Sequence, residues 1–418
     1  MTHSAKAVFL QLAVALVYPA VGELTLRALS SNGAVAAFWP ASGFALAILL
    51  LGGKRYGVGL LIGAIAQNAM TGVSLPEATV IGASNVLEAL LGAWLLTRDG
   101  RFDPAFPRLR DYLRLVGLAG FVACLVSAAV GATTLHHVGF LKPEDYATNL
   151  IQWWMGDVLG VVVVAPLLLA CRAPGRWLNR AVLGEFALVL ALTLLAGQVV
   201  FLGLLRDIVG ATPMGYLMFP PAIWAAVRLG LRGALAVQAV AAVEGLLGAH
   251  HGIGLFAHDI VQTKLTNYWL FMMFYSTGIT SLAVFNAQRQ AVWNDLEKSR
   301  SLLRTIVDTV PLRVFWKDRD LRFLGCNPVF AADAGMCRPE DLLGRADREM
   351  SWFDQAERNR ADDRAVIESG TARLGYEEPQ TTPDGRTLWL RTSKVPLRNA
   401  RGDVIGVLGV YDDITERK

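Results

Sequence analysis

The distribution of charge breaks near Arg289, and that break constrains this chain more than any other feature. Residues 291–418 hold 21 basic and 22 acidic side chains, whereas the first 290 residues hold 18 and 13. Before the break, almost every stretch of about 20 residues is apolar, the length that crosses a bilayer as a helix. A water-soluble core could not cover so much apolar surface. Hydrocarbon solvates it directly and forces the backbone into helices. The expectation is a polytopic all-α membrane domain joined to a soluble domain of ordinary size, and a mean hydropathy of +0.41 agrees.

The excess of positive charge lies in the membrane part, which nets +5 against −1 for the remainder. No basic face is concentrated in the soluble half, which argues against nucleic acid as a partner. Residues 6–30 are apolar, but Glu23 and Arg27 stand where a cleavable signal needs small residues, so a retained first span is expected. Cys124, Cys171, Cys326 and Cys337 form no CxxC pair, and neither a disulfide framework nor a zinc knuckle follows.

Hydropathy marks ten candidate spans: 6–29, 34–52, 57–73, 77–97, 112–133, 147–171, 183–205, 214–229, 232–250 and 265–287. Lys54 and Arg55 follow span two; Arg98, Arg101, Arg108 and Arg110 follow span four; Arg172, Arg176 and Arg180 follow span six. Arg228 and Arg232 bracket the turn after span eight, and Arg289 follows span ten. The intervening loops hold only Lys142, Arg206 and Lys264. Basic residues stay on the cytoplasmic side, which places both ends of the membrane part in the cytoplasm. Spans eight and nine are short enough to form a re-entrant pair instead.

An internal echo links the halves of this domain. Span two opens with FWPA (Phe38–Ala41) and span eight with FPPA (Phe219–Ala222), each leading to a basic turn and a Gly/Ala-rich span. Copies six spans apart keep one orientation, a parallel duplication of the kind transporters use. Polar side chains inside the spans are few: Glu23, Gln67, Asn68, Asn85, Glu88, Asp157 and Glu244. A charged group there costs roughly 2.5–3.5 kcal/mol on insertion scales, so such residues face a cavity or a partner. Asn85 and Glu88 share a helix face, as do Trp153 and Asp157. With Trp39 and Asn68, and the span-opening Pro40 and Pro221 and the buried Glu244, they are the candidates for a ligand cavity between helices. Interhelical hydrogen bonding is the plainer alternative.

These residues carry a resemblance. FWPASGFALAILLLGGKRYGVGLLIGA, NVLEALLGAWLL and WWMGDVLGVVVVAPLLL resemble, in order, the signatures of the membrane-associated sensor domain of the first MASE class. The resemblance covers roughly residues 8–290. It implies a bacterial inner-membrane input domain placed before diguanylate cyclases, cyclic-di-GMP phosphodiesterases or histidine kinases, with an undefined small-molecule stimulus.

Residues 286–310 leave the membrane part as a charged helix stopped by Pro311. Val292, Leu296, Ser299, Leu303, Ile306 and Val310 alternate by four and three, the a/d spacing of a coiled coil. A parallel homodimer seam is expected, against the alternative of one amphipathic helix packed on the soluble domain.

Residues 312–418 read as two strands, short helices, then three strands: an α+β domain with a five-stranded antiparallel sheet. The last strands join at the turns Pro383-Asp384-Gly385 and Asn399–Asp403. The opening FWKDRDLRFLGCNPVFAADAG, with Asn327 capping the next helix, the central EDLLGR and the closing Asp413-Ile414-Thr415 resemble a PAS domain over about 300–418. The expected division is a membrane sensor domain at 1–288, a signalling helix at 289–311 and a PAS domain at 312–418.

All six histidines precede Arg289, which excludes a PAS haem held by histidine. Cys326 and Cys337 lie outside the NCRFLQ-type motif of photoactive flavin-binding relatives, which argues against that photocycle, and no cofactor is expected. P-loop, nucleophile-elbow, HExxH and kinase signatures are all missing, so an output would follow Lys418 or sit on a partner. The reading is an inner-membrane sensor with a PAS relay, controlling cyclic-di-GMP turnover or, next, phosphotransfer. The alternative is a PAS-regulated ten-span solute transporter. His136, His137, His250, His251 and His258, beside Asp259, fall on the outer side and offer Zn²⁺ or Cu²⁺ donors if their loops meet.

Overall fold

The computed structural model describes residues 3–29, 37–172, 180–205, 214–350, 352, 355–381 and 386–417. The turn residues Asp384 and Gly385, with Arg176 and Arg206, lie outside the described residues. The chain forms two compact units, Met1–Val292 and Trp293–Lys418.

Among the described residues, the regular elements of the first unit are all helices. Its helices are α1 (His3–Leu29), α2 (Pro40–Gly52), α3 (Gly57–Met70), α4 (Leu75–Thr97), α5 (Leu109–His137), α6 (Tyr146–Ala170) and α7 (Arg180–Val200). Residues 219–229 form α8, Gly230–His250 form α9, and α10 (Thr266–Thr309) carries the chain into the second unit. Among the described residues, ten helical stretches follow the ten expected spans in order, and seven of the helices are long and apolar enough to span a bilayer, residues 215–250 counting as one. The all-helical membrane domain is thus as expected, with its shorter spans below that length. The 13 residues of α2 reach about 20 Å at 1.5 Å per residue, short of a ~30 Å hydrocarbon layer. Proline in the first turn starts α2 and α8 alike. A glycine with positive φ reverses the chain after each, Gly53 at 83° and Gly230 at 70°.

Small residues bring the helices together. Gly59 and Gly63 of α3 lie on the Gln11 and Ala15 backbone of α1, and Gly43 of α2 lies on α6. Phe9, Leu16, Val58, Leu125, Leu195 and Phe274 point outward, a surface that water penalises and hydrocarbon accepts. Over Leu115–Ala123, α5 widens into π geometry, a device that re-aims the side chains beyond it.

The second unit holds a five-stranded antiparallel sheet of order β2-β1-β5-β4-β3. The strands are β1 (Arg313–Asp318), β2 (Phe323–Cys326), β3 (Arg373–Thr381), β4 (Thr387–Arg398) and β5 (Val404–Asp413). Helices α11 (Pro328–Asp333) and α12 (Ala356–Ser369) lie between β2 and β3 in the chain. Phe315, Phe323, Phe330, Trp352 and Tyr411 form an aromatic core.

Candidate functional site

The polar residues of the membrane unit converge. Trp39, Gln67, Asn68, Asn85, Trp153 and Asp157 line one cavity of about 110 Å³. Leu26, Thr71, Leu135, Phe140 and Leu141 also line it, so it sits where α1, α3 and α5 end. The basic turns at Lys54, Arg55 and Arg98 belong to the opposite helix ends.

Two helix contacts position its floor. The Trp39 backbone N–H donates to the Gly156 carbonyl at 2.9 Å, and Gly160 admits the start of α2 against α6. Ser42 on α2 then donates to Asp157 Oδ1 at 2.8 Å, while Ser127 on α5 donates to Oδ2 at 2.6 Å. Glu88 on α4 lies beside Asp157 and accepts from Cys124 Sγ at 3.3 Å. Cys124 follows the widened stretch of α5 directly, and one helical turn places Ser127 on the same face. Among the described residues Glu88 Oε2 has no aligned hydrogen-bond partner. The Tyr18 hydroxyl lies beside the Trp39 indole and the Asn85 amide without an aligned bond to either.

Other candidates fall elsewhere. Pro40 starts α2 but does not line the cavity. Glu23 pairs with Arg27. Pro221 begins α8. Glu244 accepts from Gln198 Nε2 at 3.0 Å and packs over Gly197, as Gln67 packs over Gly22 in the first half. Tyr18, Ser42, Cys124 and Ser127 were not anticipated. Ser42 stands inside the FWPAS motif, but a lone serine or cysteine within an apolar span carries no signal of its own.

The histidines do not converge. His136 Nδ1 lies 3.0 Å from the Leu141 carbonyl, and the His250 and His251 rings meet edge to face with centroids 5.4 Å apart. Asp259 accepts from Asn267 Nδ2 and the Tyr268 N–H, both at 2.9 Å, which consumes it as a cap for α10. Among the described residues no group of three or more His, Cys, Asp or Glu could hold a metal, which overturns the expected centre at His136, His137, His250, His251 and His258.

In the second unit Asn327 caps α11, and its Oδ1 accepts from Phe330 N and Val314 N at 3.1 Å each. Its amide donates to Leu312 O at 2.7 Å and to Val307 O, on α10, at 3.2 Å. Thr415 donates to Asp413, Ile414 N donates to Trp389 O at 2.8 Å, and Trp389 N donates to Thr415 Oγ1 at 2.9 Å. Together they pin the end of β5 to β4. A fully buried charge cluster went unread in the sequence: Lys317 Nζ meets Asp347 at 2.8 Å and Asp363 at 2.7 Å, and Lys394 Nζ meets Asp363 at 2.6 Å. Lys317, Asp347 and Lys394 line a small cavity of about 40 Å³ with Phe315, Phe323 and Tyr411. The signal was there, since Phe315 and Lys317 alternate onto the same face of β1. Burial pushes the Tyr411 phenol up, and burial followed by Glu340 pushes the Cys326 thiol up to about 11.

The fold defines a multi-pass helical membrane protein with a C-terminal PAS domain. MASE1 matches residues 8–291 and the PAS fold matches residues 307–418. The chain belongs to the MASE1 family. It is 35% identical over 123 residues to the methanogenesis regulatory histidine kinase FilI of Methanothrix harundinacea, covering 29% of this chain and 14% of that protein. It is 31% identical over 129 residues to the aerobic respiration control sensor protein ArcB of Escherichia coli, covering 29% and 15%. The chain thus spans about a seventh of the curated relatives it matches. Among solved structures, Vibrio cholerae VqmA in a ligand–DNA complex matches at 27% identity with a TM-score of 0.25, over 27% of this chain and 50% of that one. The PAS domain of an HTR-like protein from Haloarcula marismortui matches at 20% with a TM-score of 0.24, over 30% and 99%.

Proposed function

We propose that this chain is the input and relay of an inner-membrane signalling protein. Its helical unit receives a small-molecule stimulus in the cavity above Asp157, and its PAS domain passes the response to an output module. The observation that carries this reading is the succession of a MASE1 match over 8–291 and a PAS match over 307–418, bridged by the single helix α10. On the positive-inside rule the cavity opens to the periplasm and both termini are cytoplasmic. The PAS domain works as a relay through its own side chains, without haem or photoactive flavin. Cyclic-di-GMP turnover is the output that the family resemblance implies; the histidine kinase FilI and the sensor ArcB support phosphotransfer as the second reading.

A transporter is the competing class, supported by the repeated glycine–polar contacts of Gly22 with Gln67 and Gly197 with Glu244. The test joins Lys418 in frame to a kinase core and reconstitutes the fusion in liposomes. Cavity substitutions such as Asn85→Ala should shift phosphorylation several-fold with no uptake of labelled solutes. Steady uptake with unchanged phosphorylation would replace the sensor with a transporter. Orientation is read by maleimide labelling in whole cells: a cysteine at Lys142 should react and one at Lys54 should not.

A further inference from the structure

We propose that the membrane cavity binds a small organic cation, a primary or quaternary ammonium compound that also carries a hydrogen-bonding group. The proposal rests on reading this cavity as the stimulus site and names the chemistry it selects.

The charge balance comes first. Asp157 and Glu88 are 1% and 2% exposed and lie side by side. The hydroxyls of Ser42 and Ser127 donate to Asp157, which disperses negative charge without neutralising it. Among the described lining residues there is no Lys, Arg or His. The nearby Arg27 turns away to Glu23. A positive charge must therefore arrive with the ligand or as a proton, and phosphates and carboxylates are repelled.

The walls then choose between a bare proton and a molecule. Trp39 and Trp153 both line the cavity, and indole faces attract an alkylammonium group through their quadrupole. Gln67 and Asn85 are 2% and 7% exposed, face the cavity and have no aligned hydrogen bond with another described residue. Buried amides left in that state require a partner, and a ligand hydroxyl, carbonyl or amine supplies one. The volume of about 110 Å³ suits a compact molecule, since an engineered cavity of ~150 Å³ holds benzene. Asp157, the indoles of Trp39 and Trp153 and the amides of Gln67 and Asn85, all lining one cavity, fit a cationic head followed by a short polar tail.

The test uses the full chain in maltoside micelles, a neutral environment free of amine lipids. Choline and its uncharged isostere 3,3-dimethylbutan-1-ol are titrated by tryptophan fluorescence and calorimetry, with tetramethylammonium and methylammonium alongside. Choline should saturate at least tenfold more tightly than the isostere, and Asp157→Asn should remove that preference while leaving the melting profile intact. Equal affinity for choline and the isostere in the unaltered protein would overturn the proposal without reliance on any variant. Failure of all three cations to saturate at millimolar concentration would overturn it as well. Reconstituted liposomes separate this proposal from the sensor reading. Binding of labelled choline without uptake supports both, whereas binding with sustained uptake supports the cation site and removes the sensor.

Discussion

Gly43 and Gly160 meet backbone to backbone: a Cβ at Gly43 would lie 2.1 Å from the Gly160 carbonyl oxygen. A Cβ at Gly160 would lie 1.9 Å from the carbonyl oxygen of Trp39. In a bilayer, helices gain little from hiding apolar surface from one another, so close packing of small residues holds them together. This contact delivers Ser42 to Asp157 and Trp39 to the cavity wall. Gly160→Ala should therefore destabilise the purified protein by about 1–3 kcal/mol, the cost of forcing atoms into a packed contact. Gly117→Ala, where a Cβ meets nothing within 4 Å, should melt with the unaltered protein. Equal melting of both variants would show that the contact does not limit the fold.

Asn327 links the last turns of α10 to the start of β1 and to α11 through one side chain. Asn327→Ala strips partners from Val314 N, Phe330 N, Leu312 O and Val307 O. The expected loss is about 2–4 kcal/mol, since a buried group left without a partner costs about 1–3 kcal/mol and a lost N-cap about 1. Asn327→Asp keeps the acceptor but loses both amide donations. Urea unfolding of residues 293–418 should place it between the parent and the alanine variant if the donations to α10 matter, and level with the parent if they do not.

The Lys317 cluster trades two buried cations against two buried carboxylates. Lys317→Met leaves Asp347 with the Trp352 indole at 3.4 Å as its remaining donor and should cost about 3–5 kcal/mol, the penalty for breaking a buried pair. Pairing it with Asp347→Leu removes the stranded charge, and Asp363 keeps Lys394. The double variant should unfold at a higher urea concentration than Lys317→Met alone. Strict additivity of the two single losses would mean that the residues do not act as a pair.

The Thr415 hydroxyl, with help from its backbone N–H, holds the Asp413 carboxyl below the usual carboxylate range. A depressed folded-state value stabilises the domain above the unfolded value of about 3.9, and that stabilisation fades as pH falls through the folded value. Asp413 is largely exposed, so solvent screens the effect and the change in stability is small. Thr415→Val should move the Asp413 titration upward in a carboxyl-detected NMR experiment. An unmoved curve would remove the hydroxyl as the cause and leave the Thr415 N–H and Arg313.

Much of this architecture was legible because the bilayer and the sheet each impose a period. The ten helical stretches and five strands follow hydropathy and alternation, and Asn85, Glu88, Trp153 and Asp157 stood out as polar or amphipathic side chains where apolar ones are expected. The residues that complete the site were not legible. Ser42, Ser127 and Cys124 reach the acids across as many as 115 residues of chain, a pairing that only tertiary packing decides. Exact helix ends were less legible, because hydropathy marks where a helix is apolar, not where Pro40 starts it or Gly53 turns it back. The histidine donors were conditional on their loops meeting, and a shared side of the membrane does not by itself decide that.

The seam on α10 gives the last prediction. Val292, Leu296, Leu303 and Ile306 are 48–64% exposed, so this chain's own soluble domain does not cover them. Apolar side chains recurring by four and three on a solvated helix are stabilised by a second copy placed alongside. In a background with the exposed Cys171 and Cys337 replaced by serine, Leu303→Cys should form an intermolecular disulfide readily under mild oxidation of membranes. Leu302→Cys is equally exposed at 61% but lies off the seam, and should crosslink several-fold more slowly. Adding Leu296→Lys should suppress the Leu303 crosslink, because each copy would then bury a charge against its mate. Equal rates at 302 and 303 on a non-reducing gel would reject a fixed parallel seam.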